Sequence, residues 1–241
     1  MLRCCIVKNP LPHPVIGRRT LLYRMEKLIG LSIRASDGEL GKIRDVYFDD
    51  SCWTARYLVV DAGGWPEDRR VLISPIAIAN IDWDRRSASV TLTTQQVKAG
   101  PHIDTDKPIS RQHEMDLLGY YGYPNYWSDP VESHLRSARE VRSFYLQTIS
   151  ASIGHVDDFL IDYESWAVRY IVVDTRDWRN GKHVVISPQW IMWADWAQRL
   201  MTVDVTRDTV QRAPEYDPAI DYSRACEASL HRHYQRPGYW Q

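Results

Sequence analysis

The chain has 241 residues, of which 25% are charged and 44% hydrophobic, and its formal net charge is −1. These values are ordinary for a globular protein, and near-neutral charge argues against nucleic acid as the main ligand, because phosphate binding needs a basic surface. No run of about 18 apolar residues predicts a membrane-spanning helix, and four cysteines without a C-x-x-C pair favour a reducing, cytoplasmic location.

Residues 1–25 are predicted to be a poorly structured tail, because their apolar stretch is too short for a signal-peptide core and prolines follow it. Beyond them, RYLVVDAGGW at residues 56–65 recurs as RYIVVDTRDW at residues 169–178. The match extends without a gap from residues 41–104 to residues 154–217. A gapless match of this length predicts two copies of one fold.

Each copy contains about five or six short runs rich in β-branched and aromatic residues, separated by polar turns. Such runs predict a small antiparallel barrel or sandwich. Ser74-Pro75 and Ser187-Pro188 each interrupt a run, which predicts a sheet edge or a bulge. The runs are followed by TTQQVKAGP in the first copy and TRDTVQRAP in the second, which predict one or two helical turns that end at proline.

The two central runs of each copy are apolar at both odd and even positions, as in Val46-Tyr47-Phe48 and Phe159-Leu160-Ile161. Strands of this kind are covered on both faces, so a second layer must lie on each barrel. Residues 105–139 match neither copy and contain LLGYYGYPNYW, which is too aromatic for a disordered linker. This segment is predicted to pack on the barrels or on a partner.

Residues 218–241 are predicted to be a solvated C-terminal tail. His231 and His233 in this tail could bind a metal, but the sequence offers no third ligand nearby, so none is predicted. The acids that recur in both copies are predicted to form turns, with a carboxylate pair or a cation site as the alternative. Arg56 and Arg169 are predicted to pair with an aspartate at a strand end, with an anion clamp as the alternative.

The pattern of residues 26–104, and again of residues 140–217, resembles the PRC-barrel family. The resemblance rests on the turn Asp37-Gly38-Glu39-Leu40-Gly41, the Lys42-Ile43 that follows it, an acidic-ended strand and RYLVV. The second copy keeps Gly154 but replaces the Asp-Gly pair of the turn. The resemblance implies a mainly β fold of two tandem small antiparallel β-barrels, with short helical turns and an aromatic-rich connecting segment.

The family includes the cytoplasmic domain of the photosynthetic reaction-centre H subunit and a domain of a ribosome maturation factor, and it has no shared catalytic residues. The resemblance therefore implies a non-enzymatic scaffold or assembly protein, with a possible link to stress, that binds a protein partner or itself. We expect a cytoplasmic homodimer without cofactor or metal. The alternatives are a ribosome- or RNA-associated factor, by analogy of fold, and a hydrolase-like enzyme with a site between the barrels.

Aromatic residues are the candidate interface, because Tyr and Trp are enriched at interface hot spots. Trp190 and Trp193 occur only in the second copy, where the first has Ala77 and Asn80, and they either fill space inside the protein or contact a partner. The other candidates lie in the connecting segment: Tyr120, Tyr121, Tyr123, Tyr126 and Trp127.

Overall fold

The computed structural model describes residues 22–62, 70–101, 109–127, 134–176, 178 and 181–241. These residues form two units: the first holds the described residues from 27 to 138, and the second holds those from 22 to 26 and from 139 to 241. The predicted N-terminal tail lies outside the described residues as far as position 21, and the chain enters a strand at Tyr23.

The described residues are mainly β, as predicted, and contain 14 strands and five short helices. The strands are β1 (Tyr23–Arg24), β2 (Ser32–Ala35), β3 (Gly38–Asp49), β4 (Thr54–Asp61), β5 (Arg70–Ile73), β6 (Ile78–Asp82), β7 (Ser87–Val90), β8 (Leu135–Ser137), β9 (Tyr145–Gln147), β10 (Ser152–Asp162), β11 (Ala167–Asp174), β12 (His183–Ile186), β13 (Ile191–Asp195) and β14 (Leu200–Val203). The helices are α1 (Thr94–Ala99), α2 (Arg111–Tyr121), α3 (Ala138–Val141), α4 (Arg207–Gln211) and α5 (Arg224–Tyr234).

The two units share one strand order. It runs β5-β4-β3-β2-β7-β6 in the first unit and β12-β11-β10-β9-β14-β13 in the second. Most neighbours are antiparallel, but β2 pairs with β7 and β9 with β14 in parallel, so the prediction of purely antiparallel sheets is wrong. β2 and β7 can run in parallel because β3 to β6 lie between them in the chain, whereas a tight turn would have made them antiparallel. Within the described residues neither sheet is closed by a ladder between its two end strands.

A short lead strand stands before each repeat in the chain and belongs to the unit that holds the other repeat. β1 precedes the first repeat but pairs with β10, where Arg24 lies opposite Leu160. β8 precedes the second repeat but pairs with β3, where Ser137 lies opposite Tyr47. The two pairings fall at equivalent positions, 113 residues apart on both strands. Each unit is therefore completed by the lead strand of the other repeat.

The Ser-Pro pairs open short 3-10 turns, Pro75–Ala77 and Pro188–Trp190, rather than forming bulges. Ser74 and Ser187 cap these turns by accepting the backbone N–H of Ile76 and Gln189, both at 3.3 Å. Proline suits the first position of a helical turn, because its missing N–H has no partner to lose there. The helical turns predicted to end at proline are confirmed as α1 and α4, which begin after Thr93 and Thr206.

The prediction of strands covered on both faces is confirmed in the first unit. Tyr57, Val59 and Leu72 lie on one face of β4 and β5, and they form a buried cluster with three residues of the connecting segment: Ile109, Leu117 and Leu118. The opposite parity of the same strands is buried as well, at Leu58 and Val60. The second layer is thus the helix α2 and the residues that flank it.

Candidate functional site

α2 brings a buried ion pair onto the sheet of the first unit. Arg111 Nη1 donates to Glu114 Oε1 at 2.9 Å, one turn further along the helix, and both side chains are buried. The hydroxyl of Tyr126 donates to the other oxygen of Glu114. The guanidinium of Arg56 on β4 lies 3.9 Å from the centre of the Tyr126 ring, and that of Arg111 lies 4.2 Å from the centre of the Trp127 ring. Cation–π stacking and hydrogen bonds together hold the segment on the sheet.

α5 repeats this arrangement in the second unit. Glu227 is fully buried, and its Oε1 lies 3.1 Å from Nη1 of Arg224. Its Oε2 accepts a hydrogen bond of 3.0 Å from the hydroxyl of Tyr170 on β11. The guanidinium of Arg169 lies 4.0 Å from the centre of the Tyr239 ring, and that of Arg224 lies 4.3 Å from the centre of the Trp240 ring.

The equivalence of the two helices shows that the repeat is longer than the sequence analysis found. Residues 110–127 match residues 223–240 at the same spacing of 113 residues, through the pairs Ser110/Ser223, Arg111/Arg224, Glu114/Glu227, Leu117/Leu230, Tyr121/Tyr234, Pro124/Pro237, Tyr126/Tyr239 and Trp127/Trp240. We call residues 110–127 and 223–240 the clasp segments. The expectation that residues 105–139 match neither copy is therefore wrong.

The prediction of a solvated C-terminal tail is also wrong. α5 ends at Tyr234 and buries Glu227, Leu230 and His231 against the second unit. His231 is 4% exposed, and His233 Nε2 lies 2.8 Å from the carbonyl oxygen of Thr209. The signal that was missed is the spaced pattern R-x-x-E followed by Y-x-x-P-x-Y-W, which occurs once after each copy.

The clasp side chains are arranged for support. Burial raises the pKa of Tyr126 and of Tyr170, and it raises the pKa of Tyr239 to about 12, so these phenols stay protonated at neutral pH. Burial also raises the pKa of Glu227, against the opposing effects of Tyr239 and Arg224. Protonated phenols donate hydrogen bonds to the two buried carboxylates, which satisfies the acids where water cannot reach them.

The repeated acids at strand ends form turns, as predicted, whereas Asp158, in the middle of β10, pairs with Arg24 at 2.7 Å. Asp49 accepts the backbone N–H of Ser51, and Asp162 accepts that of Glu164. Asp162 also lies 3.2 Å from Arg169, the predicted ion pair, although the same guanidinium stacks on Tyr239. In the parts of the chain that the structure describes, no group of three or more His, Cys, Asp or Glu side chains could hold a metal ion.

The candidate tryptophans of the second copy lie in different environments. Trp190 is 4% exposed and packs against Tyr234 and His231 of α5, with ring centres 4.6 Å and 5.5 Å apart. Trp193, three residues later on β13, is 51% exposed. Trp190 therefore fills the space under the clasp, and Trp193 is the one of the pair that a partner could reach.

The candidates of the connecting segment belong to the first clasp. Tyr121, Tyr123, Tyr126 and Trp127 pack against the buried cluster of the first unit, and the rings of Tyr121 and Tyr123 stack at 5.6 Å. Tyr120 is exposed, and its hydroxyl donates to the carbonyl oxygen of Gln96 at 2.9 Å. Most of this aromatic segment is thus engaged within the first unit.

An apolar surface in the second unit has a polar counterpart in the first. β13, β14 and β9 are neighbours, and the register pairs Trp193 with Thr202, Thr202 with Gln147, and Leu200 with Tyr145. Paired residues, and residues two apart on a strand, share one face of a sheet. We call the exposed and half-buried members of this set the second-unit outer face: Tyr145, Gln147, Trp193 and Leu200; Thr202 lies between them and is buried. Tyr145 is 57% exposed, and Leu200 is half-buried.

The equivalent face of the first unit carries Ser32, Arg34, Asn80, Ser87 and Ser89, in the same register. The residues between them on both units are buried on the other side of the sheet, for example Ile33 in the first unit and Leu146 in the second. The two units therefore keep the same inner face and differ outside. Folding explains why the inner face is apolar in both units, because it is buried. It does not explain why an exposed tryptophan and an exposed tyrosine occur on the outer face of one unit only.

The fold and these sites define a repeated, β-rich domain whose sheet is backed by a helical clasp. The family model of the PRC-barrel domain matches residues 22–94, which confirms the resemblance for the first copy, and the chain thus carries a PRC-barrel domain. No curated protein matches the chain. None of the helices in the described ranges is both long and apolar enough to cross a membrane.

Proposed function

We propose that the protein is a non-enzymatic assembly module that binds a protein partner, or a second copy of itself, through the second-unit outer face. The observation that carries the proposal is the contrast between two otherwise equivalent faces. Trp193, Tyr145 and Leu200 stand where the first unit has Asn80, Ser32 and Ser87. Exposed aromatic residues that cluster on a sheet are typical of interfaces.

The position of Trp193 favours a partner that approaches the edge of the sheet. β13 is an end strand of the second unit, so one side of its backbone carries no ladder in the described residues. Met192 is exposed beside Trp193, at a break in register between Ile191 and Trp193. An edge strand with large apolar side chains is unusual in a protein that stays alone, because such edges invite pairing with other chains.

We also infer that residues 140–217 are a second PRC-barrel domain, in tandem with the first. The support is the shared strand order, the shared parallel pair and the shared clasp. A homodimer and a cytoplasmic location remain predictions from the sequence. The free thiols of Cys52 and Cys226 in the described residues fit a reducing compartment.

A photo-reactive amino acid at position 193 tests the proposal in the native cell, with the same amino acid at position 80 as the matched control. Irradiation is expected to give a discrete protein adduct from position 193 and none from position 80. Mass spectrometry of the adduct then identifies the partner or a second copy of the chain. Equal, diffuse adducts from the two positions would show that the outer face has no dedicated partner.

A further inference from the structure

His231 is a titratable side chain in the buried layer between α5 and the sheet of the second unit. Its ring lies 5.5 Å from that of Trp190 and 5.1 Å from that of Trp240, centre to centre. Its Nε2 lies 2.9 Å from the hydroxyl of Tyr170. In the first clasp the equivalent residue is Leu118, which cannot titrate.

The proton count in this cluster defines the state of the imidazole. Tyr170 has one hydroxyl proton and donates it to Glu227, so its oxygen is left to accept from Nε2 of His231. The neutral imidazole therefore carries its proton on Nε2. A second proton would have to sit on Nδ1, a buried atom near the backbone of Arg236 and Pro237, which favours the protonated ring only in part.

We propose that His231 is a pH-sensitive latch, which holds α5 on the second unit while the imidazole is neutral and loosens it when the imidazole is protonated. The cation would be formed among Trp190, Trp240 and Tyr170, where burial disfavours it more than the neighbouring backbone favours it. Loosening of α5 would uncover this aromatic layer. The first clasp lacks the latch and stays closed.

Of the groups that face this layer, some raise the pKa of His231 and others lower it. Burial lowers the pKa of His231 most, Arg224 lowers it further, and the backbone at Arg236 and Pro237 raises it. A histidine with a lowered pKa in the folded state stabilises the closed helix above about pH 6.5, and this contribution is lost as the pH falls below that value. The phenols of the layer are uncharged at these pH values: Tyr170, Tyr222, Tyr234 and Tyr239. The guanidinium of Arg169, which stacks on Tyr239, keeps its charge throughout this range.

Glu227 works against the latch. Burial raises its pKa, so protonation of this carboxyl favours the closed helix as the pH falls. The effect of His231 must therefore be measured as a difference between proteins that both contain Glu227. His231→Gln provides this comparison, because a glutamine amide can still donate to Tyr170 but does not titrate.

Hydrogen–deuterium exchange of the full-length chain at pH 7.5 and pH 5.5 measures the latch. Protection of the α5 peptide is expressed relative to the α2 peptide, after correction for the intrinsic pH dependence of exchange. Protonation of one histidine can shift the equilibrium between the closed and the loosened helix by at most about tenfold for each pH unit below 6.5. Between pH 7.5 and pH 5.5, we expect the protection of α5 relative to α2 to fall at least about threefold more in the wild type than in His231→Gln. His231→Leu should behave as His231→Gln does, and His233→Gln should behave as the wild type does.

Equal pH dependence in the wild type and in His231→Gln would overturn the proposal. An independent measurement covers the case in which the variants do not fold. In a wild-type protein with labelled imidazole carbons, one of the eight histidines should titrate below about pH 6.5. A spectrum in which all of them titrate at or above that value would also overturn it.

Discussion

The hydroxyl of Tyr170 on β11 donates a hydrogen bond of 3.0 Å to the buried carboxylate of Glu227 on α5. This bond fastens a helix to a sheet in the second unit. In the first unit the equivalent carboxylate, Glu114, accepts from Tyr126, which lies within the clasp itself. The two clasps thus keep the same buried acid, and a phenol hydroxyl donates to it in each.

Tyr170→Phe should lower the free energy of unfolding by about 1–3 kcal/mol, because the variant leaves a buried carboxylate without one of its donors. Tyr145→Phe is the matched control, since the hydroxyl of Tyr145 is exposed, and it should change stability by less than about 0.5 kcal/mol. Urea unfolding followed by circular dichroism measures both. Equal midpoints for the two variants would contradict the role assigned to Tyr170.

The two tryptophans of the second copy should respond differently to truncation. Trp190→Ala removes a buried ring from beneath α5 and should cost about 3–5 kcal/mol. Trp193→Ala removes an exposed ring and should cost about 0.5 kcal/mol or less. Thermal and denaturant unfolding of the two variants separates the cases. A large loss of stability in Trp193→Ala would mean that its ring supports the fold rather than a partner.

Gly41 and Gly154 occupy equivalent positions with φ of +149° and +156°. A Cβ at either position would overlap the carbonyl oxygen of Asp61 or Asp174 on the neighbouring strand. Gly41→Ala and Gly154→Ala should each destabilise their unit by about 3 kcal/mol or more.

The control is Gly119→Ala in α2, where an added Cβ meets no atom within 4 Å. Alanine at this helical position should raise stability by about 0.5–1 kcal/mol. A tolerated alanine at position 41, measured by the same unfolding experiment, would show that the close approach of the two strands does not need glycine.

The sequence was sufficient for the β fold, the duplication and the presence of a second layer, because these depend on local residue patterns and on identity at a fixed spacing. The exchange of lead strands could not be predicted. β1 and β8 are two and three residues long, and nothing local tells such a strand which sheet it will join. The parallel pairs were missed for the same reason, since register between distant segments leaves no periodic signal.

The candidate site was predicted in part. Trp190 and Trp193 could not be told apart in the sequence, because Trp190 ends a 3-10 turn and a break in register before Trp193 disturbs the alternation of the strand. The clasp of the second unit could have been found, since Arg224, Glu227 and Trp240 repeat Arg111, Glu114 and Trp127. The repeat continues beyond residues 104 and 217 as far as Trp127 and Trp240.

The most direct test of the assembly function measures the affinity of the purified chain for the partner captured at position 193, whether another protein or a second copy. The variant Tyr145→Ser, Trp193→Asn, Leu200→Ser gives the second unit the outer face of the first. It should bind at least about 30-fold more weakly, as the loss of a 2 kcal/mol hot spot does, and should remain folded. Ser32→Ala, Asn80→Ala, Ser87→Ala, the matched change in the first unit, should bind as the wild type does. A folded second-unit variant that keeps its affinity within about twofold, a difference below 0.5 kcal/mol, would contradict the assignment of this face as the interface.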